Sequence, residues 1–426
     1  MHFNEISFSP LLRGRITLPA SKSLSARALI INALCGNDAC PANLSDCDDT
    51  QVLLRALTER KTVTDIHAAG TAMRFSTAYF AAAAGEEHVI TGTPRMCQRP
   101  IAILVEALRS LGADIEYAGN EGFPPLRVRG RQLEGGTVEL PADVSSQYIS
   151  ALLMLGPVLR HGLEIRLTGK IVSRPYIDMT LGLMKHFGAC AGWADEQTLS
   201  VAPVPYRKGT DYEVEADWSA ASYWYEMVAL SPDAGARIEL PGLLENSLQG
   251  DAEVRHFFEP LGVSTEFTGN GAVLTKREKH GKEPQDYHLD LTRQPDLAQT
   301  LTVACAMAGR PFRLTGLQSL RIKETDRIAA LRRELAKLSC HIAEANGSEL
   351  SSAATAPPPP PAETVRIDTY DDHRMAMSFA PCALLTGRLR INCPEVVSKS
   401  YPGFWNDLRG IGADVSETRE PSATTR

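Results

Sequence analysis

The stretch LVEALRSLGADIEY (104–117) holds an apolar–polar helical pattern, then a glycine, then an alternating strand pattern. It has four counterparts: LGLMKHFGACAGW (181–193), VRHFFEPLGVSTEF (254–267), ALRRELAKLSCHIAEA (330–345) and FWNDLRGIGADVSE (404–417). Their turn residues, Gly112, Gly188, Gly262, Ser339 and Gly412, recur at intervals of about 75 residues, which marks an internal repeat. A glycine suits the left-handed position that ends a helix, and the alternation after it suits a half-buried strand. One period upstream of Gly112, LLRALTERKTVTDI (53–66) reads as a shortened copy, which makes six units. A chain of 426 residues is too long for one core, so two α/β domains of three units each are expected.

The formal charge of −7 offers no broad attraction for nucleic acid or an acidic membrane, so anion binding must come from local clusters of Arg and Lys. The nine cysteines (35, 40, 47, 97, 190, 305, 340, 382, 393) show no metal-ligand spacing, and no metal is expected. Their odd number and the absence of an apolar leader after Met1 point to a reduced, cytoplasmic protein. Apolar runs such as YFAAAAG and ALLMLGPVL are too short to span a bilayer. The Pro-rich stretch 351–362 interrupts the repeat and reads as a solvent loop.

Cations and hydroxyls gather where helices are expected to start. In LPASKSLSARALIINAL (18–34), Ser21 is a natural N-cap, while Lys22, Ser23 and Arg27 fall in the first two turns, the last two on one face. Free N–H groups and positive side chains together make an anion site. HAAGTAMRF (67–75) sets Gly70 and Thr71 before a buried helix, and Arg99 precedes a proline suited to a first turn. Ser145, Ser146 and Gln147 open another apolar helix, as do Ser173, Arg174 and Tyr176. Asp296 leads into a nearly uncharged helix, and His373, Arg374 and Lys399 sit at two more starts. In SLRIKETDRIAALRREL (319–335), Lys323 and Arg327 are expected one helical turn apart, facing anions, with Glu324 between them. Capping accounts for each cluster singly; the recurrence points to one multiply anionic site.

The motifs LPASKSLSARALI, AGTAMRF, QRPI, SSQYISALLM, SRPYIDMT, RIKETDRI, DDHRMAM and KSYPGFW resemble, in this order, those of the 5-enolpyruvylshikimate-3-phosphate synthases of the enolpyruvyl transferase family. The resemblance implies a two-domain inside-out α/β barrel with three similar units per domain. Domain I would comprise 1–19 and 219–426, domain II 20–218, with a cleft between them that closes on substrates. It implies transfer of the enolpyruvyl group of phosphoenolpyruvate to the 5-hydroxyl of shikimate 3-phosphate, with release of phosphate, on the route to chorismate and the aromatic amino acids. Shikimate 3-phosphate would be held by Lys22, Ser23, Arg27, Thr71, Ser145, Ser146, Gln147, Ser173, Tyr176, Asp296 and Lys323. Phosphoenolpyruvate would meet Lys22, Gly70, Arg99, Gln147, Arg327, Arg374 and Lys399. Asp296 would be the base, Glu324 the proton donor to carbon, and Lys22 an aid to proton transfer or to the leaving phosphate. No cofactor is expected, because the cations are side chains and the chemistry needs only proton transfer. A cytoplasmic monomer that binds only small molecules is implied.

Three departures from the family pattern stand out: Ala68 replaces an asparagine, Phe75 a proline, and Ser319 another usual asparagine. The related transferase acting on UDP-N-acetylglucosamine carries a cysteine a few residues before an Arg-Pro. Cys97 is too close to Arg99 for that loop and reads as a small filler.

Overall fold

A computed structural model describes residues 2–9, 11–143, 145–277 and 287–419. The chain divides into two compact units, one of 1–19 with 216–426 and one of 20–215, each with its own hydrophobic core. The return falls at Ala216, ahead of the expected Ser219, because Asp217 already belongs to the next helix. Its side chain accepts the amides of Ser219 and Ala220 as the N-cap of Trp218–Leu230.

The repeat is a four-stranded sheet fed by two helices. Strands Gly136–Pro141 and Leu163–Thr168 run parallel, joined through the buried helix Ser146–Leu155. The helix Arg174–His186 then leads to Ala191–Trp193, and Thr198–Val201 returns antiparallel to lie between that strand and Leu163–Thr168. Val63–Asp65, Glu87–Thr91, Leu126–Arg129 and Asp114–Tyr117 take the same spatial order, as do Tyr287–Asp290, Phe312–Thr315, Glu349–Ser352 and Ala343–Ala345. Two further sheets borrow from the N-terminus. Arg13–Arg15 is the parallel edge beside Arg237–Pro241, and His2–Phe8 fills the last place between Leu389–Asn392 and Ala413–Arg419.

All five turn residues of the repeat adopt the left-handed conformation, Ser339 included at φ 60°. The strands alternate, with one face on the helices and the other in water, as Leu163–Thr168 does. The helices that join parallel strands are apolar nearly all round; every residue of Ala298–Met307 is buried. On three such helices Ser222, Thr300 and Ser378 take equivalent positions, each 78 residues from the next, and their hydroxyls meet at 3.2 and 3.5 Å.

The first unit departs from the expected pattern. Helices Lys22–Leu34 and Asp48–Glu59 are present, but their sheet is reduced to one parallel bridge, Ala42 to Glu213. Val63–Asp65, expected to close this unit, is instead the edge of the next sheet, parallel to Glu87–Thr91. It leads at once into the helix Gly70–Ala82, which supplies the crossover that parallel strands require, so no residues remain for a returning hairpin. The other departure from the repeat, residues 353–364, is mostly exposed and carries no helix or strand, whereas Ser351 and Ser352 belong to a strand.

One core residue opposes burial. Glu226 on the helix Trp218–Leu230 is 0 % exposed, and neither carboxyl oxygen has a hydrogen-bond partner among the described residues. Burial pushes its pKa well above the ordinary 4.5. The folded chain therefore keeps a proton that the unfolded chain releases above pH 4.5, so stability falls as pH rises from there. Glu226→Leu is expected to stabilise the protein, more at pH 8 than at pH 4.5, with a slope difference of up to about 1.4 kcal/mol per pH unit. Urea unfolding at the two pH values checks this; an equal gain at both would rule out the buried proton.

Candidate active site

Within the 20–215 unit, the anion-binding candidates gather at helix starts. Ser21 caps the Lys22–Leu34 helix by accepting the Leu24 amide at 3.4 Å. Lys22 Nζ lies 3.3 Å from Asp49, at the start of the Asp48–Glu59 helix. Arg27 is buried and donates to Thr180 Oγ1 at 2.7 Å, the Ser23 carbonyl at 2.9 Å, Ser150 Oγ at 3.1 Å and the Tyr176 carbonyl at 3.3 Å. Burial lowers its pKa to about 10.

Thr71 and Gln147, distant in sequence, meet at 3.0 Å through the Gln147 amide. Gly70 and Arg99 also come together: a Cβ on Gly70 would lie 2.6 Å from Arg99 Nη1, so the guanidinium uses the space that glycine leaves. Arg99 does not open a helix as expected. It closes the short turn Met96–Gln98, and the helix begins at Ala102, because Ile101 is the cap. Ser145 caps Ser146–Leu155 through the Gln147 amide. Ser173 precedes Arg174–His186 in the left-handed region, φ 55° and ψ 33°, without capping through its side chain. Such a conformation costs a non-glycine residue about 1 kcal/mol or more and is typical of binding sites.

The unit of 1–19 and 216–426 holds a second cluster around Asp296. Its Oδ1 accepts from Lys323 Nζ at 3.5 Å and Arg327 Nη1 at 3.4 Å, and its Oδ2 from Arg374 Nη2 at 3.0 Å. Burial works to raise the Asp296 pKa, but Arg374, Lys323 and Arg327 outweigh it and hold the carboxylate well below its usual range. Glu324 is gripped by Arg327 at 2.9 Å and Lys399 at 3.1 Å. Asp372, 0 % exposed, binds Arg327 Nε at 2.7 Å and caps the helix His373–Phe379 through the Arg374 amide.

The charged run 321–327 is not one helix. A short turn spans Gln318–Ile322, and the helix begins at Arg327, capped by Asp326 through the Ala329 amide at 3.1 Å. Asp prefers that capping position to a helix interior, so it ends the irregular segment. Lys323 and Arg327 therefore share Asp296 rather than a helical face. Lys399 likewise ends the turn Pro394–Lys399, and the helix that follows starts at Phe404. Arg321, bound to Asp326, Glu344 and the Gly347 carbonyl, anchors the segment.

Sequence reasoning missed four neighbours. Asp49 and Asp372 carry only N-terminal capping signals, and Tyr223, 3.4 Å from Arg374, looks like core. Asp251, buried and hydrogen-bonded to Ser219 Oγ at 2.5 Å, lies in a polar turn with no motif. Burial, then the charge of Asp296, raises its pKa to about 6. Two carboxylates under several cations can accept and return protons, while the cations hold anionic ligands.

A family model described as EPSP synthase (3-phosphoshikimate 1-carboxyvinyltransferase) matches residues 55–408. The 3-phosphoshikimate 1-carboxyvinyltransferase of Bacteroides fragilis is 55 % identical over 408 residues, covering 95 % of this chain and 97 % of its own length. That of Photobacterium profundum is 36 % identical, covering 93 % and 96 %. Among solved structures, an EPSP synthase from Acinetobacter baumannii is similar at a TM-score of 0.76 and 21 % identity, covering 98 % of this chain and all of that one. The enolpyruvyl transferase NikO from Streptomyces tendae gives 0.72 at 16 % identity, covering 99 % of each. At those identities the structural likeness bears on the fold alone.

Proposed function

This chain belongs to the EPSP synthase family and has its activity, the transfer of an enolpyruvyl group from phosphoenolpyruvate to shikimate 3-phosphate, and on that premise we propose the residue roles. The two units are the two substrate-binding domains. Lys22, Ser23, Arg27, Thr71, Ser145, Ser146, Gln147, Ser173, Tyr176, Asp296 and Lys323 hold the acceptor. Lys22, Gly70, Arg99, Gln147, Arg327, Arg374 and Lys399 hold phosphoenolpyruvate. The enzyme works as a cytoplasmic monomer without a cofactor.

The observation that carries this reading is the grip of Lys323, Arg327 and Arg374 on Asp296, beside Glu324. A carboxylate so held is a weak base. Anionic substrates compete for the same cations, which frees Asp296 to take the 5-hydroxyl proton as that oxygen attacks C2. Glu324, released in the same way from Arg327 and Lys399, takes up a proton and passes it to the methylene carbon. The tetrahedral adduct then expels phosphate, with Lys22 neutralising its charge, and a methyl proton returns to Glu324, which restores the enol ether. Phosphate release from phosphoenolpyruvate should depend on shikimate 3-phosphate and disappear without it; release with no acceptor would contradict this scheme.

Gly70→Ala tests the placement of Arg99. The added methyl meets only the end of a flexible side chain, so stability should change little. Displacing the guanidinium weakens a charge-assisted contact, and KM for phosphoenolpyruvate should rise roughly tenfold or more. Steady-state kinetics with each substrate varied in turn check this; an unchanged KM would remove Arg99 from the site.

A further inference from the structure

The side chain at position 75 is left unexplained by the roles above. Phe75 is 0 % exposed on the Gly70–Ala82 helix, one turn beyond Thr71, where the resembling family has proline. Its ring lies under the Arg27 guanidinium, 5.6 Å from centroid to Cζ. Among the described residues, every hydrogen-bond partner of Arg27 is a neutral oxygen, from Ser23, Ser150, Tyr176 and Thr180, and no carboxylate pairs with it. A buried guanidinium without a counter-charge is costly; its hydrogen bonds offset part of that cost, and the negative face of the aromatic ring adds to them.

We infer that Phe75 is a positioning residue for the acceptor: its ring face holds the Arg27 guanidinium desolvated, charged and aimed while the site is empty. The inference rests on the assignment of Arg27 to shikimate 3-phosphate. Proline at this position would offer no π face, so this chain sets its acceptor-binding cation by a means of its own. The ring acts through Arg27 and touches no reacting atom, so its loss shows in acceptor binding and not in turnover.

The test compares Phe75→Leu, Phe75→Tyr, Arg27→Met and the double variant Phe75→Leu/Arg27→Met, with Phe80→Leu as a control. Phe80 is equally buried on the same helix but faces His88, at 3.8 Å. Phe75→Leu should weaken shikimate 3-phosphate binding roughly three- to thirtyfold, the worth of a desolvated cation–π contact, with kcat and KM for phosphoenolpyruvate within about twofold. Phe75→Tyr should retain acceptor affinity, Phe80→Leu should lower stability alone, and Phe75→Leu should add nothing once Arg27 is Met. Normal acceptor affinity in Arg27→Met would overturn the Arg27 assignment and the inference with it. Weakened binding in Arg27→Met but not in Phe75→Leu, or equal losses in Phe75→Leu and Phe80→Leu, would overturn the role of Phe75 alone.

Discussion

Asp296→Asn is expected to lower turnover by about two to four orders of magnitude, the range for a positioned general base, while both substrates still bind. The amide preserves shape, and its single oxygen still accepts from the cations on one side, either Lys323 and Arg327 or Arg374, while its NH2 group accepts nothing and cannot take the acceptor's proton. The variant should also lose stability in a pH-dependent way. Because the cations depress the Asp296 pKa, the carboxylate's contribution is complete above about pH 3.8 and declines as pH falls below it. Wild type should therefore exceed the variant in denaturant resistance at pH 7 and approach it on strong acidification. Single-turnover kinetics with saturating substrates give the first result. Near-normal turnover would reassign the base to Glu324 or to a bound water.

Arg327→Met should be the most destabilising change in the cluster. Arg327 is 2 % exposed and Asp372 not at all, and two guanidinium nitrogens reach that carboxylate, at 2.7 and 3.3 Å. Removing the cation strands a buried anion, a loss of roughly 3–5 kcal/mol. Asp372 also caps the helix that carries Arg374, so the phosphoenolpyruvate site should loosen as well. Arg321→Met makes the contrast. Its partners Asp326 and Glu344 are partly exposed, and the ion pairs themselves should be worth no more than about 1 kcal/mol. Thermal unfolding of the two variants checks the difference; comparable losses would mean that burial of the Arg327–Asp372 pair is not what makes it count.

Much of the fold was legible because it is built from local patterns repeated at a fixed interval. Gly112, Gly188, Gly262 and Gly412 occupy the left-handed positions their place after a helix demands, and Ser339 follows them there because the same turn recurs. The caps at Ser21 and Ser145 were similarly visible, since capping acts within one turn. The charged run 321–327 misled because helical spacing was assumed for residues that Asp326 holds outside the helix. The reduced first unit misled because a helix followed by a short strand looks the same whether that strand closes one sheet or begins the next.

By itself, then, the sequence determined the repeat, the two-core size, and the gathering of cations and hydroxyls at helix starts, all of which depend on residues a few positions apart. Tertiary structure alone decided which groups meet. Gly70 makes room for Arg99, Gln147 reaches Thr71, Arg27 settles on neutral oxygens and a ring, and Arg327 takes Asp372, Glu324 and Asp296 together. Those pairings run between helices far apart in the chain, and periodicity shows which face of a helix is buried but not which partner it is buried against.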